Sequence, residues 1–274
     1  MIAKRATGRW KGKRFEFMNK ADQFRRKIEE GKLVKGVFIT MPEASASEMA
    51  GYAGYDYVWI DAEHGAMDRQ EIYHHIMAAQ GAGCAAFVRV REAVPSIVKA
   101  ILDMGPDGII FPFCNNAEIV QKAVASCSYP DDAYHGIRGQ GPVRAIKYGL
   151  DDEEVYLKEA YSKVIKIAQI ETYEGYQNLD EILAVEGIDS LFIGMADMSR
   201  SLAGTPGSPK PESVFTDICG RTRVAGRMIG CAIGAVRGEA MRVVEHGVQW
   251  VVFGQDSRIL AEGLRANLEA VSSI

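Results

Sequence analysis

From Val34 onward the chain alternates short, β-branched apolar runs with longer stretches of helical periodicity, and most of the runs stop at Gly, Asp or another polar residue. This βαβα rhythm predicts strands at about Val34 to Thr40, Tyr57 to Asp61, Ala85 to Val90, Gly108 to Phe111, Val164 to Glu171, Ser190 to Gly194, Ile229 to Ile233 and Trp250 to Phe253. Runs such as VWI, FVRV, GIIFP and WVVFG lack polar alternation, as expected of parallel strands covered on both faces. Eight such strands separated by helices predict a closed (β/α)₈ TIM-type barrel, with a doubly wound open sheet as the structural rival. The segment Phe15 to Gly31 reads as an extra helix ahead of the first strand, stopped by Gly31. Residues 15–274 are thus expected to form one barrel domain behind a basic arm, 1–14.

That arm carries Lys4, Arg5, Arg9, Lys11, Lys13 and Arg14 and no acid, which suits a solvated or subunit-contacting arm or, less simply, an organellar transit peptide. A net charge of −4 argues against an electrostatic nucleic-acid binder. No apolar stretch approaches the roughly 18 residues of a membrane span. The five cysteines, Cys84, Cys114, Cys127, Cys219 and Cys231, have no C-x-x-C spacing and read as reduced thiols of a cytoplasmic protein. Small-molecule chemistry is the class left standing.

In such a barrel the active site lies at the C-terminal ends of the strands. Strand two ends in Asp61-Ala62-Glu63-His64, strand three carries Arg89, strand five ends in Gln169-Ile170-Glu171, and strand six runs into Gly194-Met195-Ala196-Asp197. Alternation puts Ile165, Ile167, Gln169 and Glu171 on one face: two apolar layers, then an amide and a carboxylate at the rim. Asp197 follows the neighbouring strand, so it can approach Glu171. Two carboxylates brought together need a proton or a cation between them, and oxygen-only ligation suits Mg²⁺ or Mn²⁺; helix capping or surface ion pairing is the alternative use of such acids. His64, with Asp61 and Glu63 beside it and Asp103 as a group to orient its ring, is a candidate proton carrier, and equally a capping residue. Arg89 in an otherwise apolar strand needs an anionic partner. The long connections Pro130 to Lys163 and Ala203 to Glu212 are candidate lids or subunit contacts.

The strings IDAEHG (60–65), VRV (88–90), LDMGPDGIIFP (102–112), GIRG (136–139), QIET (169–172) and IGMADMS (193–199), in that order and spacing from about Lys35 to the C-terminus, resemble the HpcH/HpaI family of class II, metal-dependent 2-oxo acid aldolases, relatives of macrophomate synthase and of 4-hydroxy-2-oxoheptanedioate aldolase. The resemblance implies Glu171 and Asp197 as ligands of a divalent ion, Mg²⁺, Mn²⁺ or Co²⁺. It implies Arg89 at the oxo or enolate oxygen, His64 with Asp103 as the acid/base element, and Gln169 lining substrate and metal. Gly194 and the backbone N–H groups around Ala196 and Asp197 match those receiving the pyruvate carboxylate, and Asp61 matches an acid standing behind these groups. It further implies a homo-oligomer, a hexamer built as a trimer of dimers, with the C-terminal helix exchanged between subunits. The chain departs from the family at Met195 and Met198, where Pro and Leu are usual, and at Asn115-Asn116, which replace a Glu-Thr type sequence; these positions are expected to reshape the aldehyde pocket.

The expected reaction is cleavage or formation of 4-hydroxy-2-oxo acids to pyruvate plus an aldehyde through a metal-bound pyruvate enolate, with a small 2-oxo acid and an aldehyde as partners and neither nucleic acid nor membrane. A Schiff-base aldolase would need Lys166, whose parity is opposite to that of Gln169 and Glu171 and points it away from the barrel centre. Oxaloacetate decarboxylation or cleavage of a citryl- or malyl-CoA-like thioester would keep the enolate. For the thioester no Walker loop or G-x-G-x-x-G is present, and Arg138 with Gly139 and Gly141 is a weak anion site. A non-catalytic assembly subunit is the reading from outside enzymology.

Overall fold

The computed structural model describes residues 20–130 and 135–272; the arm 1–14 and the start of the expected first helix lie outside them. Eight strands, β1 (Val34–Ile39), β2 (Tyr57–Asp61), β3 (Ala85–Arg89), β4 (Gly108–Phe111), β5 (Ile165–Ile170), β6 (Ser190–Ile193), β7 (Met228–Ile233) and β8 (Trp250–Gln255), form one closed barrel in sequence order. Every pairing is parallel, and β8 closes on β1 through Val34↔Trp250 and Lys35↔Val251. The open-sheet rival is thereby excluded.

Helix α1 (Ala21–Glu29) precedes the barrel, and α2 (Ser45–Tyr52), α3 (Arg69–Gly81), α4 (Pro95–Leu102) and α5 (Ala117–Cys127) follow β1 to β4. Helix α6 (Glu153–Glu159) precedes β5; α7 (Tyr173–Gln177) and α8 (Leu179–Leu183) follow it; α9 (Met195–Ala203) and α10 (Pro211–Val224) follow β6; α11 (Arg237–Glu245) and α12 (Asp256–Val271) follow β7 and β8. The connection 130–163, expected as a long loop, holds a 3₁₀ turn (Arg144–Gly149) as well as α6, whose N-terminus is capped by the Asp152 carboxylate accepting from the Val155 N–H.

Alternation along the strands sorts side chains into two cores. Tyr57, Trp59, Phe87, Ile165, Ile167, Phe192 and Trp250 fill the barrel, while Val58, Ile60, Val88, Ile109, Ala168, Leu191 and Val251 meet the helices. The aromatic filling demands small partners: a Cβ at Gly36 or Gly230 would lie 2.1 Å from the Tyr57 ring or 2.2 Å from the Trp250 ring. Phe24 of α1 closes the N-terminal end, its ring centroid 5.0 Å from Phe87 and 5.9 Å from Trp250. With that end plugged and the middle packed, the C-terminal rim is where the barrel has room for polar groups. Helix α12 buries none of its side chains, and Ile259, Leu260, Leu264 and Leu268 stand exposed.

Candidate active site

Asp61 is the last residue of β2, and the register Asp61↔Arg89 sets it beside the last residue of β3, both facing inward. Its Oδ1 accepts from Arg89 Nε at 3.0 Å and its Oδ2 from Nη2, so the pair is a two-point clamp in a buried setting. Oδ1 also accepts from the backbone N–H groups of Glu63 (3.1 Å) and His64 (3.3 Å). With four donors on one carboxylate, Asp61 is committed to holding Arg89 and the turn after β2, and is not a free base.

Glu63 brings its Oε2 to 3.0 Å from Arg89 Nη1 and 3.8 Å from His64 Nε2. Burial raises its carboxyl above the ordinary value, against the pull of Arg89. His64 itself is two-thirds exposed. Across the mouth, Glu171 is buried just past β5; its Oε1 accepts from the Phe113 N–H at 2.8 Å and its Oε2 from the Gln169 amide. Burial, reinforced by the negative charges of Glu63 and Asp197 and opposed by the Phe113 N–H and Arg89, pushes the Glu171 carboxyl up to about 7. The Gln169 Oε1, also buried, has no hydrogen-bond partner.

Asp197 lies exposed in the first turn of α9, and Gly194 stands as its N-cap, so the N–H groups of Met195, Ala196 and Asp197 open toward the mouth without helical acceptors. A Cβ at Gly194 would stand 2.7 Å from Glu171 Cβ and 3.1 Å from Gln169 Nε2; glycine is required for this approach. Phe113 donates its N–H to Glu171 from a left-handed conformation, φ +49°, which a non-glycine residue holds only where its surroundings enforce it.

The structure thus gathers Asp61, Arg89, Gln169, Glu171, Gly194, Ala196 and Asp197 at one rim, with His64 at its edge. It does not bring Asp103 there. Asp103 is the C-cap of α4, ahead of β4 and therefore at the N-terminal end of the barrel, where its Oδ1 receives Arg138 Nη2 at 3.3 Å. Within one chain the orienting partner expected for His64 is replaced by Glu63. Glu63 has the parity of Asp61, a signal that could have marked it; nothing in the sequence marks the left-handed Phe113. Lys166 points outward as its parity requires and donates to Asp189 (2.8 Å) and the carbonyls of Tyr161 and Val164. Three of the positions expected to reshape the aldehyde pocket have structural partners. Asn116 caps α5 by accepting from the Ile119 N–H, Asn115 accepts from the Thr172 hydroxyl, and Met198 is buried in the outer core.

A closed parallel barrel whose rim gathers buried acids, an arginine and a helix N-terminus is the architecture of a barrel enzyme working on a small molecule. The chain belongs to the HpcH/HpaI aldolase/citrate lyase family, whose model matches residues 35–261. It is 33% identical to a 4-hydroxy-2-oxovalerate aldolase from Rhodococcus jostii (strain RHA1), over 88% of this chain and 92% of that one. It is 29% identical to a 2-keto-3-deoxy-L-rhamnonate aldolase from Salmonella gallinarum (strain 287/91 / NCTC 13346), over 93% and 94%. The crystal structure of macrophomate synthase superimposes with a TM-score of 0.74 at 25% identity, covering 92% of this chain and 91% of that one. The chain is accordingly an aldolase-type carbon–carbon lyase. No helix among the described residues is long and apolar enough to cross a membrane.

Proposed function

We propose that the chain is a metal-dependent aldolase interconverting 4-hydroxy-2-oxo acids with pyruvate and an aldehyde. The observation that carries this reading is the charge of the rim: four carboxylates, Asp61, Glu63, Glu171 and Asp197, face one guanidinium, Arg89, and a buried acceptor, Gln169 Oε1, stands without a donor. That donor set fits a hard divalent cation such as Mg²⁺, Mn²⁺ or Co²⁺ held by Glu171 and Asp197. Among the described residues no three His, Cys, Asp or Glu side chains form a metal-holding group, so two protein carboxylates would leave positions for water and substrate oxygens. When bound, such an ion supplies Lewis acidity toward the keto oxygen.

The chain's own groups account for the rest. The N–H groups of residues 195–197 receive the substrate carboxylate, and Arg89, fixed by Asp61 and Glu63, aims N–H donors at the keto oxygen. His64, directly or through a water, takes the 4-hydroxyl proton. The C3–C4 bond then breaks, its electron pair moves through C3 to the keto oxygen, the aldehyde leaves, and the pyruvate enolate is protonated at C3; synthesis runs the same steps in reverse. Pairing of Asp103 with His64 takes another copy of the chain, and the exposed apolar face of α12 supports a homo-oligomer, a hexamer with α12 exchanged, in which such copies meet. The CoA-thioester reading finds no support in Arg138, which is spent on Asp103, Tyr156 and the Tyr129 ring.

The test follows pyruvate release from 4-hydroxy-2-oxo acids before chelation, after it, and with Mg²⁺, Mn²⁺ or Co²⁺ restored, with Glu171→Ala alongside. Release is expected to stop on chelation, return with the ion and be absent from the variant. Release indifferent to chelation, or seen only from oxaloacetate or a CoA thioester, overturns the reading.

A further inference from the structure

The turn between β2 and α3 carries Glu63 and His64, and strand β3 with its extension holds both ends of it. On the inner side Arg89 grips Asp61, and the Ala62 N–H donates to the Arg89 carbonyl at 3.0 Å. Two residues further, with the same parity, Arg91 places its Nε 2.8 Å from the Ala62 carbonyl and its Nη2 3.5 Å from the Met67 carbonyl. Ala62 and Met67 bracket the segment Glu63-His64-Gly65-Ala66. Both Arg91 contacts are to carbonyls, so the guanidinium acts as a two-pronged brace across the turn.

The turn within the brace is tight. The Gly65 N–H donates to the Asp61 carbonyl at 3.0 Å, and a Cβ on Gly65 would lie 2.3 Å from that same oxygen and 2.8 Å from the Met67 Cε. His64 is two-thirds exposed, and among the described residues of one chain its ring has the 3.8 Å approach of Glu63 to orient it. The position of the imidazole is therefore inherited from the backbone of the turn, and the two ends of that backbone are bridged by Arg91.

We propose that Arg91 is a positioning residue: by bridging the carbonyls that flank the turn, it holds His64 and Glu63 over Arg89. What is being positioned rests on the aldolase reading above; the brace itself does not. A lysine would keep the charge but carries its donors on one nitrogen in place of a planar fork, so it cannot span both carbonyls in the same geometry.

The experiment compares Arg91→Met and Arg91→Lys with the wild-type full chain, reading amide hydrogen exchange over residues 62–67, thermal midpoint, and kcat and KM for pyruvate release. Both variants are expected to keep a cooperative melt, to exchange that segment roughly tenfold faster, and to lose about ten- to a hundredfold in kcat with KM within about twofold, the effect of a misplaced reacting group. Unchanged exchange, a lysine variant equal to wild type, or a rise in KM at constant kcat overturns the proposal; the last would make Arg91 a substrate contact. Wild-type protein that releases no pyruvate sinks the aldolase reading, and the exchange comparison still decides whether the brace exists.

Discussion

The two ends of the barrel both bury charge, but they treat it differently. At the N-terminal end Asp107 is fully buried and its carboxyl is pushed up to about 6, yet it accepts from the Gln80 amide, the Ala86 N–H and the Lys20 N–H. Nearby, Lys166 is matched by Asp189, which also takes Arg25 at 3.3 Å. At the C-terminal end Glu171 is buried too, but its neighbours include two further acids, and the Gln169 Oε1 beside it lacks a donor. Charge at the base is balanced within the chain. Charge at the rim is left for something outside the chain to balance, which is what a binding site requires and a structural ion pair avoids.

The largest effect that would break this contrast is on catalysis at the rim. Glu171→Ala is expected to lower kcat/KM for pyruvate release by about a thousandfold, ~4 kcal/mol of transition-state stabilisation, while the melting temperature stays within a few degrees because an acid with unmet neighbours is not stabilising the fold. Asp189→Asn at the base should do the reverse. It leaves Lys166 buried without its counter-charge and is expected to cost about 3 kcal/mol in denaturant unfolding, with kcat per folded molecule unchanged. If the two variants exchanged their phenotypes, the division of labour between the ends would be wrong.

Much of that division was legible in the sequence, for a geometrical reason. All eight expected strands overlap the observed ones, and strand parity alone separated Gln169 and Glu171 from Lys166. Glu63 and Arg91 share that parity, which by itself marks neither for a role. Within one chain Asp103 stands at the base and not beside His64, as its position between a helix and the following strand requires; motif resemblance carries no information on which copy of the chain supplies a group. The left-handed Phe113 was not legible, since its conformation follows from packing and from the hydrogen bond to Glu171 rather than from any residue preference.

A smaller and sharper difference lies in pH dependence. Glu171 has its folded value raised from 4.5 to about 7, so the folded state binds the proton more tightly and, without divalent ions, stability present below about pH 4.5 is lost as the pH rises toward 7. Asp107 behaves the same way, but only between 3.8 and about 6. From pH 6 to 7.5 Glu171 is the largest of these contributions; the end of the Asp107 titration adds to it, and buried His75, held below its ordinary value by desolvation, opposes it. Chelated wild-type protein should lose about 1–2 kcal/mol across that window in urea unfolding, and Glu171→Gln should flatten the curve there and lessen its slope down to about pH 4.5, leaving the part due to Asp107. A flat wild-type curve would mean that the rim acids are compensated within the chain after all.

The smallest effect concerns the departures from the family. If Asn116 shaped the aldehyde pocket, replacing it would change the ranking of acceptor aldehydes. The structure instead gives its side chain to the Ile119 N–H at 3.0 Å, as the N-cap of α5, a helix outside the barrel. Losing such a cap costs about 1 kcal/mol and touches no group at the rim. Asn116→Ala should accordingly lower the unfolding free energy by about that much, Asn116→Asp should restore most of it, and both should show the wild-type order of aldehyde preference. A changed order with unchanged stability would move Asn116 from the scaffold to the site, and with it the boundary between the balanced and the unbalanced parts of the molecule.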